Sequence, residues 1–236
     1  MRKQLQRVKT KFLSAYYGHS SKDLKIICVT GTTGRNTVMH YIHDILTQAD
    51  YKINALEPSK SLKASVLHKF LNDAWKSGAE YAIITASAAD IVSQAFYDLP
   101  IYAVVMTDCV PSGLTDMSNE QRIIEHKTLF ETNPAIIVLN TDDAHYHEFS
   151  KFAGTTATYT YGTSMNSDVR IDNFQLYRKG TEANLAINNR PITTATFVLG
   201  EPAVSYMACA TAFAASLKIK SADIIAGIGE YTPEQL

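Results

Sequence analysis

The residues best placed to do chemistry stand in one run, Thr30-Gly31-Thr32-Thr33-Gly34-Arg35-Asn36-Thr37. Two glycines bracket a pair of threonines, and a cation, an amide and a further hydroxyl follow. A buried strand that feeds a helix through such a turn aims backbone N–H groups and the positive helix end at one point, which suits phosphate. Glycine is needed there because a side chain would block the approach of backbone to anion. The strict phosphate-loop pattern G-x-x-x-x-G-K-[ST] is not met: Val29 holds the first glycine position, and Arg35 and Asn36 follow Gly34. The run nominates Gly31, Thr32, Thr33, Gly34, Arg35, Asn36 and Thr37 as nucleotide-holding residues.

The elements that must position this turn read as follows. Residues 24–29 form an apolar strand and 38–46 a helix. A strand at 52–56, a helix at 62–77 closed by Gly78, a strand at 81–85 and a helix at 91–97 come next. A strand at 101–107 leads to a helix at 119–131, where Ser118 and Gln121 are set as a capping box. A strand at 135–140 and a helix at 143–152 complete the alternation. Such alternation predicts an α/β fold with a mainly parallel sheet covered by helices on both faces. Ligands in such sheets sit beyond the carboxyl ends of the strands, so the loops after Val29, Thr85, Thr107 and Asn140 converge on one crevice. Residues 156–198 carry four further strand-like runs, with Asn188-Asn189 suited to a tight hairpin turn, and predict a small antiparallel β subdomain. An alanine-rich helix at 207–217 and a last helix from 221 follow.

The chain has 236 residues, 46% apolar and 19% charged, enough for a sizeable core. A net charge of −1 gives no global field that would draw nucleic acid. Cys28, Cys109 and Cys209 are widely spaced and read as buried apolar positions, with a reducing, cytoplasmic setting as the default. No apolar run is long enough to span a bilayer.

The turn resembles the loop T-G-T-x-G-K-[ST]-[ST] of Mur ligases and folylpolyglutamate synthetases, matched by Thr30-Gly31-Thr32-Thr33-Gly34 and departed from at Arg35-Asn36-Thr37. Later segments extend the resemblance over residues 22–230. Asn140-Thr141-Asp142-Asp143 resembles the family's N-x-D-D, which implies Asn140 and Asp143 as further nucleotide-binding residues. Residues 123–130 resemble the helix bearing A-K-x-x-[LI]-[FY], which implies Lys127 as the lysine carbamylated in many members to help hold magnesium. Tyr161-Gly162 and Ser167-Asp168-Val169 resemble T-[YF]-G…A-D-[VI]. Other motif positions are substituted. The magnesium-binding glutamate falls on Thr85 and a following histidine on Ala89. An Asp-His pair falls on Ser112 and Gly113, and two asparagines that approach nucleotide fall on Ala203 and Tyr206.

The resemblance implies a Mur-ligase central domain over 22–236, preceded by a basic amphipathic helix and linker at 1–21. It also implies that a UDP-sugar domain and a C-terminal ligase domain are missing. ATP and magnesium are its implied cofactors. The substitutions weaken the site for both: Arg35 is longer and planar where a compact ammonium is enclosed, Asn36 is a neutral substitute for a magnesium-binding hydroxyl, and Thr85 removes an anionic ligand. No residue is nominated as a metal ligand. The expected function is a Mur-ligase-like module tied to peptidoglycan precursor synthesis, catalytically impaired and serving binding or assembly beside cell-wall enzymes. The alternative is a working ATP-dependent carboxylate–amine ligase with an atypical loop.

Three other constellations stand out in the sequence. Asp142, Asp143, His145, His147 and Glu148 suggest a metal cluster, but i and i+2 residues of a helix face apart, which favours an acidic helix start. His40 and His43 lie one helical turn apart and read as core or surface histidines. In residues 1–17, Leu5, Val8, Phe12, Leu13 and Tyr16 recur at helix spacing among five basic residues. This helix is expected to pack on the domain with a solvated basic face, weak contact with a membrane surface being the second reading.

Overall fold

The computed structural model describes residues 2–17, 23–58, 61–109, 118–154 and 156–233; Ser112, Gly113 and the linker at 18–22 lie outside these. After helix α1 (Arg2–Tyr16), strand β1 (Lys25–Thr30) is buried from Ile26 onward. Its side chains alternate between two cores. Ile27 and Val29 join one with helices α2 (Arg35–Gln48), α7 (Pro202–Ser216) and α8 (Ser221–Glu230). Ile26 and Cys28 join the other with α3 (Ala64–Lys76) and α5 (Asn119–Phe130). A strand covered on both faces reads as a continuous apolar run, as Ile26-Ile27-Cys28-Val29 does.

The remaining strands are β2 (Ile53–Leu56), β3 (Tyr81–Ala86), β4 (Ile101–Met106), β5 (Ile136–Asn140), β6 (Ala157–Gly162), β7 (Val169–Tyr177), β8 (Gly180–Ile187) and β9 (Arg190–Thr196). They form one nine-stranded sheet in the order β2-β3-β1-β4-β5-β6-β7-β8-β9. Pairing is parallel from β2 through β7 and antiparallel from β7 to β9. The antiparallel strands therefore extend the parallel sheet instead of closing a sheet of their own. Asn188 and Asn189, at φ 48° and 66°, make the expected tight turn between β8 and β9. Strand order reverses beside β1: the chain leaves β1 toward β2 on one side, and returns past it from β3 to β4 on the other. This switch point brings the loops that follow β1 and β4 together.

Several boundaries differ from the sequence expectation. Helix α2 starts three residues early, directly after Gly34. The helix expected at 91–97 is a short α4 (Ala88–Val92), begun by a Ser87–Asp90 capping box and stopped by Gln94 at φ 63°. The helix expected at 143–152 is reduced to α6 (Tyr146–Ser150) and a 3-10 turn, because Asp143 bends the chain by accepting from His145 N at 2.7 Å. Ser118 caps α5 by accepting from Gln121 N, but the Gln121 side chain turns to Glu125 and does not complete the box. Among the described residues no helix is long and apolar enough to cross a membrane.

Two packing features seat the elements around the switch point. Helix α8 lies against α2 at Gly227, where an added methyl would overlap the backbone of Ile45. His126 of α5, fully buried, packs under the end of β1. Thr30 Oγ1 donates to Ala86 O at 2.9 Å and so accepts from His126 Nδ1–H, also at 2.9 Å. Burial, with the charges of Arg35 and Arg122 nearby, lowers the His126 pKa to about 4.

Gly227→Ala should destabilise by about 1–3 kcal/mol through overpacking. Gly229→Ala, which meets only ordinary contact, should be neutral or stabilise by about 0.5–1 kcal/mol through helix propensity. Urea unfolding of both variants checks this. For His126 the unfolded chain takes up a proton near its ordinary pKa of about 6.5, which the folded chain refuses until about 4. Stability from this residue is therefore complete above about pH 6.5 and is lost as pH falls toward 4. His126 should contribute a loss of about 2 kcal/mol between pH 7 and 5, and His126→Asn should flatten that part of the pH profile of urea unfolding.

Candidate functional site

The turn between β1 and α2 keeps the shape that its glycines predict. Gly31 has φ 138° and Gly34 φ 69°, backbone conformations that side-chain-bearing residues rarely adopt. Both glycines also permit close approach by other parts of the chain. A side chain at Gly31 would overlap Thr107 and Asp108, and one at Gly34 would overlap the ring of Tyr206. The loop after β4 is fastened to this turn. Thr107 N donates to Thr30 O at 2.9 Å, and Thr107 Oγ1 donates to Thr33 O at 2.6 Å.

The converging amides already hold an anion. Asp108 Oδ1 accepts from Thr32 N at 2.7 Å and Thr33 N at 2.9 Å, and Asp108 Oδ2 accepts from Thr33 Oγ1. Tyr206 OH donates to Thr33 Oγ1 at 3.3 Å, so the ring that covers Gly34 is tied to the same cluster. Arg35 folds back along the turn. Its Nη1 donates to Gly31 O and, at 3.1 Å, to Thr32 O. Burial lowers its pKa, while the nearby carboxylates of Asp90 and Asp108 act in the opposite direction. Asn36 Nδ2 donates to Glu57 Oε1. Thr37 is half-buried in the first turn of α2.

Beside the start of α2 lies a cavity of about 250 Å³ lined by Arg35, Asn36, Ser61, Thr85, Ser87 and Asp90 among others. Asp90 is engaged here too: Oδ1 accepts from Leu62 N at 2.6 Å and Oδ2 from Ser87 N at 2.9 Å.

The other nominated residues fasten loops. Asp143 Oδ2 accepts from Cys109 N at 2.6 Å, next to Asp108 in the chain. Asn140 Oδ1 accepts from Asp142 N at 2.9 Å, and Asp142 holds Thr163. Lys127 Nζ donates to Glu148 Oε2 at 2.6 Å, which joins α5 to α6, and Glu148 also pairs with Lys151. These lysines hold the Glu148 carboxyl below its usual range. His40 and His43 meet different carboxylates, Glu57 at 3.4 Å and Asp44 at 2.8 Å, and His40 stacks on Tyr231. Among the described residues no group of three or more His, Cys, Asp or Glu is arranged to hold a metal ion.

In this arrangement the residues present do not fit a magnesium-bound triphosphate. The cradle amides carry a carboxylate, the loop cation is turned onto backbone carbonyls, and Thr85 offers a buried hydroxyl where a magnesium site needs an anionic ligand. Sequence reasoning missed Asp108. The available signal was an acid one residue beyond a strand that the alternation places in the shared crevice.

The chain is similar to known proteins in sequence and in fold. The UDP-N-acetylmuramoyl-L-alanyl-D-glutamate–2,6-diaminopimelate ligase of Clostridium botulinum is 25% identical over 201 residues, covering 80% of this chain and 41% of that protein. The corresponding enzyme of Halalkalibacterium halodurans is 26% identical over 233 residues, covering 90% of this chain and 47% of that protein. The chain thus spans less than half the length of these relatives. A solved UDP-N-acetylmuramoyl-L-alanyl-D-glutamate–2,6-diaminopimelate ligase superposes with a TM-score of 0.86 at 21% identity, covering 100% of this chain and 51% of that one. The MurF ligase of Thermotoga maritima, solved in complex with ADP, superposes with a TM-score of 0.73 at 13% identity, covering 92% and 52%. The family model of the Mur ligase middle domain matches residues 29–214, which include the glycine turn, the switch point and most of α7, and the chain belongs to that family.

Proposed function

We propose that this chain is a Mur-ligase-type domain tied to peptidoglycan precursor synthesis that no longer drives ATP-dependent amide ligation and serves as a binding or assembly module. Ligation of this type needs a cation and a divalent ion at the phosphates to stabilise charge during phosphoryl transfer. The observation that carries the reading is the orientation of Arg35, whose guanidinium donates to Gly31 O and Thr32 O of its own turn. Lys127, the other cation nominated for the site, is engaged with Glu148. The alternative, an active ligase with an atypical loop, draws support from the retained glycine conformations. A cytoplasmic location beside cell-wall ligases suits either reading.

A docking role is supported by α1. Thr10 Oγ1 donates to Gln94 O and Arg7 Nε to Gln94 Oε1, which fixes one helix face to the body. The apolar stripe faces outward instead, with Leu5 60%, Phe12 73% and Tyr16 81% exposed. Lys9 and Lys11 are exposed as well, and the helix contains no acid. That combination suits an anionic membrane surface or an acidic partner.

Calorimetric titration with ATP or ADP and magnesium should give no binding heat up to millimolar nucleotide. Micromolar, magnesium-dependent binding that disappears in Gly34→Val would overturn the impaired-module reading. In a vesicle sedimentation assay, the chain should pellet with anionic vesicles and stay in solution with neutral ones. Leu5→Glu with Phe12→Glu should abolish pelleting and leave the thermal midpoint unchanged, since both side chains are exposed. Equal pelleting of wild type and variant would remove the membrane role.

A further inference from the structure

We propose that Asp108 is a built-in occupant of the phosphate cradle, an internal carboxylate that closes the turn to nucleotide. The inference deepens the reading above, on which it rests, by naming the residue that closes the site.

Three donors converge on the Asp108 carboxylate: Thr32 N at 2.7 Å, Thr33 N at 2.9 Å, and Thr33 Oγ1. A phosphate oxygen would use the same backbone donors, at the same positive end of α2. One carboxylate oxygen takes both amides and the other takes the hydroxyl, so both are engaged.

The carboxylate is also delivered rigidly. On its N-terminal side Thr107 is bound through backbone and side chain to Thr30 O and Thr33 O. On its C-terminal side Cys109 N donates to Asp143 Oδ2 at 2.6 Å. Asp108 therefore need not pay the ordering cost that a free anion pays on binding, and its effective concentration at the amides is high. Tyr206 lies over Gly34 and is tied to Thr33 Oγ1, which adds a lid over the occupied turn. An entering phosphate would have to expel Asp108, and the expelled carboxylate, held by its neighbours, would remain close enough to repel it.

The nearby cation does not reverse this. Arg35 is turned away from any entering anion, with Nη1 donating to Gly31 O and Thr32 O of its own turn. The role of Asp143 follows from the same arrangement, since it braces the segment that carries Asp108.

The experiment compares ADP and inorganic pyrophosphate binding, by calorimetry without magnesium, for the wild-type chain, Asp108→Asn and Asp108→Ala. Both variants should bind more tightly than wild type by about tenfold or more, the scale of a hydrogen bond to a charged group. The gain should vanish when Gly34→Val is added. Folded variants with no gain would overturn the role of Asp108 while leaving the impaired-module reading intact. Micromolar binding by the wild type in a parallel titration with magnesium would overturn both. Amide hydrogen exchange on the wild type supplies a test that needs no variant. Thr32 and Thr33 amides should be protected without ligand, and fast exchange at both would overturn the occupancy.

Discussion

A buried strand that ends in a glycine turn leaves amide hydrogens pointing at one spot, and those donors need a partner. This requirement governs the region around β1. In a phosphate-binding turn the partner is the ligand, with a nearby cation to hold it. Here the chain supplies its own acceptor from the end of β4, and the cation turns to the carbonyls of the same turn. Once Asp108 occupies the amides, Thr107 must lie against Gly31 and Cys109 must be braced by Asp143. Residues that read as separate ligand contacts become parts of one internal fastening.

The sheet makes that fastening possible. With β1 between β3 and β4, the chain segments after β1 and β4 leave on opposite faces, toward α2 and α5. The two cores on either side are built of buried side chains. Ala203, Ala208, Ala210, Ala212 and Ala214 of α7 are buried and let that helix lie close to the sheet. Gly227 does the same for α8 on α2. Such packing transmits little slack, so the positions of Asp108 and of the turn are set by elements remote from both.

Much of the fold was legible because its signals are local and repeated. Apolar runs such as Ile26-Ile27-Cys28-Val29 and Ile136-Ile137-Val138-Leu139 have few conformations that bury them, and helical patterns between them leave a parallel sheet as the consistent arrangement. The glycine turn was legible for the same reason, since two glycines around threonines specify backbone more than side-chain chemistry. Errors fell on short elements. The helices expected at 91–97 and 143–152 were shortened by single residues, Gln94 in a left-handed conformation and Asp143 bound to two amides. Pattern carries no information about such contacts.

Motif resemblance in the sequence carried the family, while periodicity and glycine spacing, which act over a few residues, determined the sheet with its two covered faces and the place where a phosphate turn would stand. Tertiary structure alone decided what fills that turn. Asp108 lies 76 residues from Thr32 in the chain, yet their contact is a single hydrogen bond of 2.7 Å. Whether an aspartate at the end of one strand faces solvent, a metal or the amides of another strand's turn depends on strand order. Strand order is the outcome of packing across the whole sheet, which no local pattern encodes.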